Sequence, residues 1–71
     1  MSKYQIPFTN ACIRKFGERY SLPVKNAYLY LRNFKGIDFL VEFYDTIHLQ
    51  SIDDAVDDLT IVCKNNGGQI G

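Results

Sequence analysis

No apolar run in this chain approaches the roughly 18–20 residues that a membrane span requires, so no transmembrane segment is expected. The opening residues Met1-Ser2-Lys3-Tyr4-Gln5 lead into no apolar segment, which predicts that no secretory leader is cleaved. Cysteine is scarce: Cys12 and Cys63 are two residues where a small secreted domain would carry a dense disulfide framework. Together these absences predict a cytoplasmic chain with reduced thiols. His48 is the single histidine, and there is no Cys-x2-Cys or His-x3-His pair of the kind that marks a zinc site. An Asp-x-Asp-x-Asp-Gly calcium loop is missing, as is a glycine-rich phosphate loop. Internal repeats, low-complexity tracts and linkers are also absent; Gly and Pro serve only as punctuation.

What remains is a short chain rich in apolar residues. Seventy-one residues hold one core and no second. A chain of this size buries only about 60–65% of its unfolded surface, so its stability is marginal. Yet 46% of the residues are hydrophobic and 14% aromatic, more than one inner face per helix requires. That surplus points towards self-association.

The zero net charge conceals an asymmetry. Residues 1–35 hold Lys3, Arg14, Lys15, Arg19, Lys25, Arg32 and Lys35 against Glu18, a balance of +6. Residues 36–71 hold Asp38, Glu42, Asp45, Asp53, Asp54, Asp57 and Asp58 against Lys64, a balance of −6. Two such halves attract each other within the fold, stay solvated, or steer a charged partner.

Apolar residues recur with the helical period throughout. A first helix is predicted over about residues 5–20, with Pro7 in its first turn and an inner face of Phe8, Cys12, Ile13, Phe16 and Tyr20. Ser21 is the expected N-cap of a second helix over about 23–34, whose inner stripe is Val24, Ala27, Tyr28, Leu31 and Phe34. Gly36 is expected in the left-handed conformation that ends that helix. A third helix over about 37–48 is apolar around most of its circumference, with Ile37, Leu40, Val41, Tyr44 and Ile47 on one face and Phe39 and Phe43 on another. Such a helix is expected at the centre of the fold, or of a dimer. The fourth opens at Ser51 with Asp53 and Asp54 at its positive dipole end and turns Ile52, Val56, Leu59, Val62 and Cys63 inward. Asn65-Asn66-Gly67-Gly68 stops it. The expected architecture is a single all-α domain over residues 1–71, a compact bundle of about four short helices. Its ordered core would span about 5–66, with a frayed tail over 67–71.

From about residue 12 to 68 the chain resembles a family of short bacterial proteins known as Domain of Unknown Function 3791. The resemblance is carried by Cys12-Ile13, Ala27-Tyr28, Gly36-Ile37-Asp38-Phe39-Leu40, Tyr44-Asp45-Thr46-Ile47-His48 and the acidic run Asp53-Asp54-Ala55-Val56-Asp57-Asp58-Leu59. Many relatives place a glycine directly after the aromatic residue, whereas here Lys35 stands between Phe34 and Gly36. Family members are often encoded beside ADP-ribosyltransferase-like proteins, so the resemblance implies a regulatory or antitoxin-like partner role.

The residues themselves offer little chemistry. Asp45 lies three before His48, half of a catalytic dyad to which Cys12 or Cys63 would add a thiol. A histidine at a helix C-terminus is better explained by the final carbonyls and the helix dipole. Both cysteines fall on apolar stripes, which predicts inert buried thiols rather than metal ligands. The expectation is therefore no enzyme, no metal and no cofactor. Surplus apolar residues Leu29, Tyr30, Phe39 and Phe43 form the candidate interaction surface of a protein-interaction module, with a homodimer or another protein as partner. Asp53, Asp54, Asp57 and Asp58 form a candidate acidic docking face. Arg14, Lys15, Arg19 and Lys25 form a candidate basic patch, the basis of the alternative reading as a nucleic-acid-binding regulator. That alternative is disfavoured because the predicted third helix presents Asp38, Glu42 and Asp45, the wrong sign for phosphate.

Overall fold

In the computed structural model, which describes residues 5–70, the chain forms five helices: α1 (Ile6–Tyr20), α2 (Val24–Asn33), α3 (Gly36–Glu42), α4 (Tyr44–Ile47) and α5 (Ile52–Asn65). Lys3 of the basic half and Gly71 of the expected tail lie outside the described residues. A radius of gyration of 10.8 Å matches the roughly 11 Å expected for this length folded about one core. The all-α expectation holds, and α1 and α5 begin and end close to where their periodicity placed them.

The core is built from α1 and α5, closed by α2 and, in part, by α3. Cys12, Ile13 and Phe16 of α1 are buried in one cluster with Ala55, Val56, Leu59 and Cys63 of α5, Ala27 and Leu31 of α2, and Leu40 and Ile47. The side-chain pairs Lys15–Asp53, Arg19–Asp57 and Tyr20–Thr60 advance together along both helices. The two therefore run side by side in the same direction. Along that seam Thr60 Oγ1 donates to the Val56 carbonyl at 3.0 Å and so receives the Tyr20 hydroxyl proton at 2.7 Å.

The α1–α2 turn differs from expectation. Ser21 is not the N-cap of α2 but the left-handed residue that ends α1, with φ 57°. Pro23, in an extended conformation, occupies the position before α2 instead. The Gly17 carbonyl accepts the Leu22 N–H at 2.8 Å, so the returning chain lies directly over Gly17. A Cβ there would sit 2.7 Å from the Leu22 carbonyl oxygen. At the next turn the left-handed residue is Lys35, φ 73°, not Gly36. Gly36 instead opens α3 in close contact with Leu31, whose Cβ and carbonyl oxygen would each lie 3.2 Å from an added Cβ.

The stripe expected on α2 is rotated. Val24 and Tyr28 face outward, 54% and 40% exposed, while Tyr30 turns inward beside Ala27, Leu31 and Phe34. The inward turn of Tyr30 comes from its ring packing: it stacks on Phe16 at 5.7 Å and meets Phe34 at 4.7 Å.

The expected third helix breaks at Phe43 (φ −106°, ψ 21°) into α3 and the single turn α4. Apart from Glu42, residues 41–48 are β-branched, aromatic, Asp or His, all weak helix formers. This segment is not the centre of the fold: it lies against α2 and α5, burying Leu40 and Ile47 while Val41 and Phe43 remain exposed.

Helix α5 is capped at both ends. Ser51 Oγ accepts the Asp54 N–H at 3.1 Å. Beyond Asn65 the Gly68 N–H returns to the Cys63 carbonyl and the Gly67 N–H to that of Lys64, the paired bonds of a Schellman motif. Residues 67–70, expected to fray, are drawn back onto α2: the Ile70 N–H donates to the Tyr30 hydroxyl at 3.1 Å and Ile70 packs against the core.

Two substitutions test the turns. Gly17→Ala is expected to destabilise the protein by about 1–3 kcal/mol in urea unfolding, because the clash with the backbone outweighs the better helix propensity of alanine. Lys35→Gly is expected to stabilise it by up to about 1 kcal/mol in the same assay, since glycine enters the left-handed region without steric cost.

Candidate functional site

Half of the charged residues singled out in the sequence, Lys15, Arg19, Asp53 and Asp57, engage one another. Arg19 Nη1 donates to Asp57 Oδ1 at 2.5 Å, and Nη2 donates to the Asp53 carbonyl at 3.3 Å. The hydrogen bond to Asp57 raises the pKa of an already strong base further. Lys15 Nζ lies 3.8 Å from Asp53 and 3.7 Å from Glu18, and Gln50 donates to Asp58 at 3.0 Å. The basic face of α1 and the acidic face of α5 are thus two sides of one seam. Exposed pairs of this kind contribute about 0.2–1 kcal/mol each, enough to favour a register but not to drive folding. Arg14 and Lys25 of the basic patch have no carboxylate partner among the described residues, and the Asp54 side chain has no cationic one.

The sole histidine closes the end of α4. His48 Nδ1–H donates to the Tyr44 carbonyl at 2.7 Å, and its ring stacks on that of Tyr44 at 4.6 Å with 6° between planes. Phe8 meets the same tyrosine edge-on at 5.8 Å. No hydrogen bond joins His48 to Asp45 or to either thiol among the described residues, nor do three His, Cys, Asp or Glu side chains gather as metal ligands there. Cys12 and Cys63 are fully buried free thiols. Burial pushes Cys12 up from 9.0 to about 11. Cys63 is also pushed to about 11 by burial, against an opposing hydrogen bond from the Gly36 backbone.

The four surplus apolar residues separate into different settings. Tyr30 belongs to the core. Phe39 is half-buried and packs against Phe43 at 5.3 Å, while Phe43 is 47% exposed. Leu29 stands exposed on α2. The rotation of α2 creates a feature not anticipated from sequence: a groove of about 350 Å³ between α1 and α2, lined by Asn10, Ile13, Arg14, Val24 and Tyr28. Its apolar wall comes from the two α2 residues assigned to the core by periodicity. A short stripe cannot reveal that Tyr30 outcompetes Tyr28 for the inside.

A thiol held protonated longer in the folded than in the unfolded chain gives a defined pH response. Its contribution to stability is constant below about pH 9 and is lost as pH rises from about 9 to about 11. The thiolate absorbance of the native protein is accordingly expected to titrate with midpoints near 11, moving back towards 9 in denaturant.

No curated protein and no solved structure gives a significant match to the chain. A family model does match, over residues 7–66, from the first turn of α1 to the cap of α5. The matched segment takes in every helix and both sides of the groove, and on that ground the chain belongs to the family described as Protein of unknown function (DUF3791).

Proposed function

We propose that this chain is a non-catalytic protein-interaction module. The observation that carries this reading is the set of large apolar side chains left in water although the core is complete: Val24 and Tyr28 along the groove, and Phe43 beside Phe39. Exposed apolar surface of this kind costs solubility and is characteristic of interfaces. The charges give less support to a steering role, since Lys15 and Arg19 are engaged by Asp53 and Asp57. For the same reason the basic patch invoked for a nucleic-acid-binding role keeps only Arg14 and Lys25 unengaged among the described residues.

On this reading the protein works in a bacterial cytoplasm, as a homodimer or bound to a second protein. The family resemblance makes an ADP-ribosyltransferase-like neighbour the first partner to test, with this chain as its regulator or antitoxin-like ligand.

Tagged protein recovered from native lysate is expected to retain a stoichiometric protein partner, either a second copy or another chain. Phe43→Asp, whose side chain is half in water, is expected to release that partner while its far-UV circular dichroism matches wild type. Equal recovery from wild type and variant would overturn the reading, as would recovery of nucleic acid alone, released by salt.

A further inference from the structure

We propose that the groove between α1 and α2 receives the outer edge of α3 from a second copy of this chain. The inference rests on the interaction-module reading and names its partner.

The argument is one of complementary leftovers. The groove combines apolar Ile13, Val24 and Tyr28 with the guanidinium of Arg14, and no carboxylate lines it. Ile6, exposed one turn before Asn10, extends the same stripe of α1. Arg14 has no acidic partner within its own chain among the described residues. The opposite combination occurs at the outer end of α3, where the helix breaks: Val41 in its last turn and Phe43 at its C-cap are exposed, and the charged residues of this stretch are Asp38 and Glu42 of α3 and Asp45 of α4. No Lys or Arg occurs from Gly36 to Ile47, and none pairs with those three carboxylates among the described residues. One surface is apolar and cationic; the other is apolar and anionic.

A chain does not fill its own groove. Its α3 is packed against α2 and α5 and contributes no residue to the groove lining. In a two-fold pair, the groove of each copy takes the α3 edge of the other, so that every contact is made twice and the assembly closes. Burying Phe43 and Tyr28 together supplies the apolar gain, while the unpaired charges fix orientation and suppress other partners.

Charge exchange tests this on the full chain. Arg14 and Glu42 are both exposed, so Arg14→Glu and Glu42→Lys are expected to keep the wild-type circular dichroism. In analytical ultracentrifugation the wild type is expected to self-associate, more weakly as salt is raised. Each single variant sets like charges against each other twice per pair and should raise the dissociation constant about tenfold or more. The double variant, and an equimolar mixture of the two singles, again oppose unlike charges at every contact and should recover association. Single variants that associate as tightly as wild type, or a double variant that recovers nothing, would overturn the pairing. A wild type that stays monomeric at every concentration would also overturn it. If native lysate then yields a different protein released by Phe43→Asp, the module reading survives with another occupant; if it yields none, both fail.

Discussion

The contact between α1 and α5 is the constraint on which the other elements depend. Two helices nearly forty residues apart in sequence lie side by side, and the loss of chain entropy in bringing them together has to be offset by what they bury. Phe16, Cys12, Val56, Leu59 and Cys63 are wholly removed from solvent, and burial of Phe16, Val56 and Leu59 contributes roughly 1.5–3 kcal/mol each. With that seam formed, α2 is placed by the tight turn over Gly17 and by Tyr30 against Phe16. Helix α3 is then placed by Gly36 against Leu31. The ion pairs of Lys15 and Arg19 lie along this seam on the solvent side. They join Lys15 and Arg19 of the basic half to Asp53 and Asp57 of the acidic half within one chain, while Arg14, Asp38, Glu42 and Asp45 form no ion pair among the described residues.

The legibility of the sequence followed the clarity of its periodicity. Helices α1 and α5 alternate apolar and charged faces, and their limits, the Ser51 cap and most inner residues are readable, although in α5 Ala55 rather than Val62 completes the buried face. In α2 the run Ala27-Tyr28-Leu29-Tyr30-Leu31 is apolar on every side, so local pattern leaves the rotation of the helix undetermined. Stacking of Tyr30 on residues far along the chain settled it. The same ambiguity made the third helix look central, when in fact it breaks at Phe43 and covers only one side of the core. The turns misled for a different reason. A glycine is the usual left-handed residue at a helix end, but at the α2–α3 turn Lys35 adopts that conformation and Gly36 meets Leu31 closely instead, while Ser21, which pattern alone places as an N-cap, is the left-handed end of α1. The groove followed from these departures, which is why no motif announced it.

Family membership spans the whole architecture without supplying an activity. The functional argument therefore comes from what the fold leaves unsatisfied. Its buried polar side chains all have partners among the described residues, its thiols are protonated and enclosed, and its histidine is held by a carbonyl and a stacked ring. Against that background the apolar groove and the acidic edge of α3 are conspicuous as surfaces without a partner in their own chain.

The place of α5 in the sequence also matters for how the protein is made. A ribosome delivers α1 well before α5, yet the surface that covers Cys12, Ile13 and Phe16 belongs in large part to that later helix. Until α5 leaves the exit tunnel, the nascent chain holds an open apolar strip and a row of unpaired cations. Completion of the fold is thus tied to the end of translation of this segment, and the interval before it is when the chain is most exposed to chaperones, proteases and premature contact with another copy.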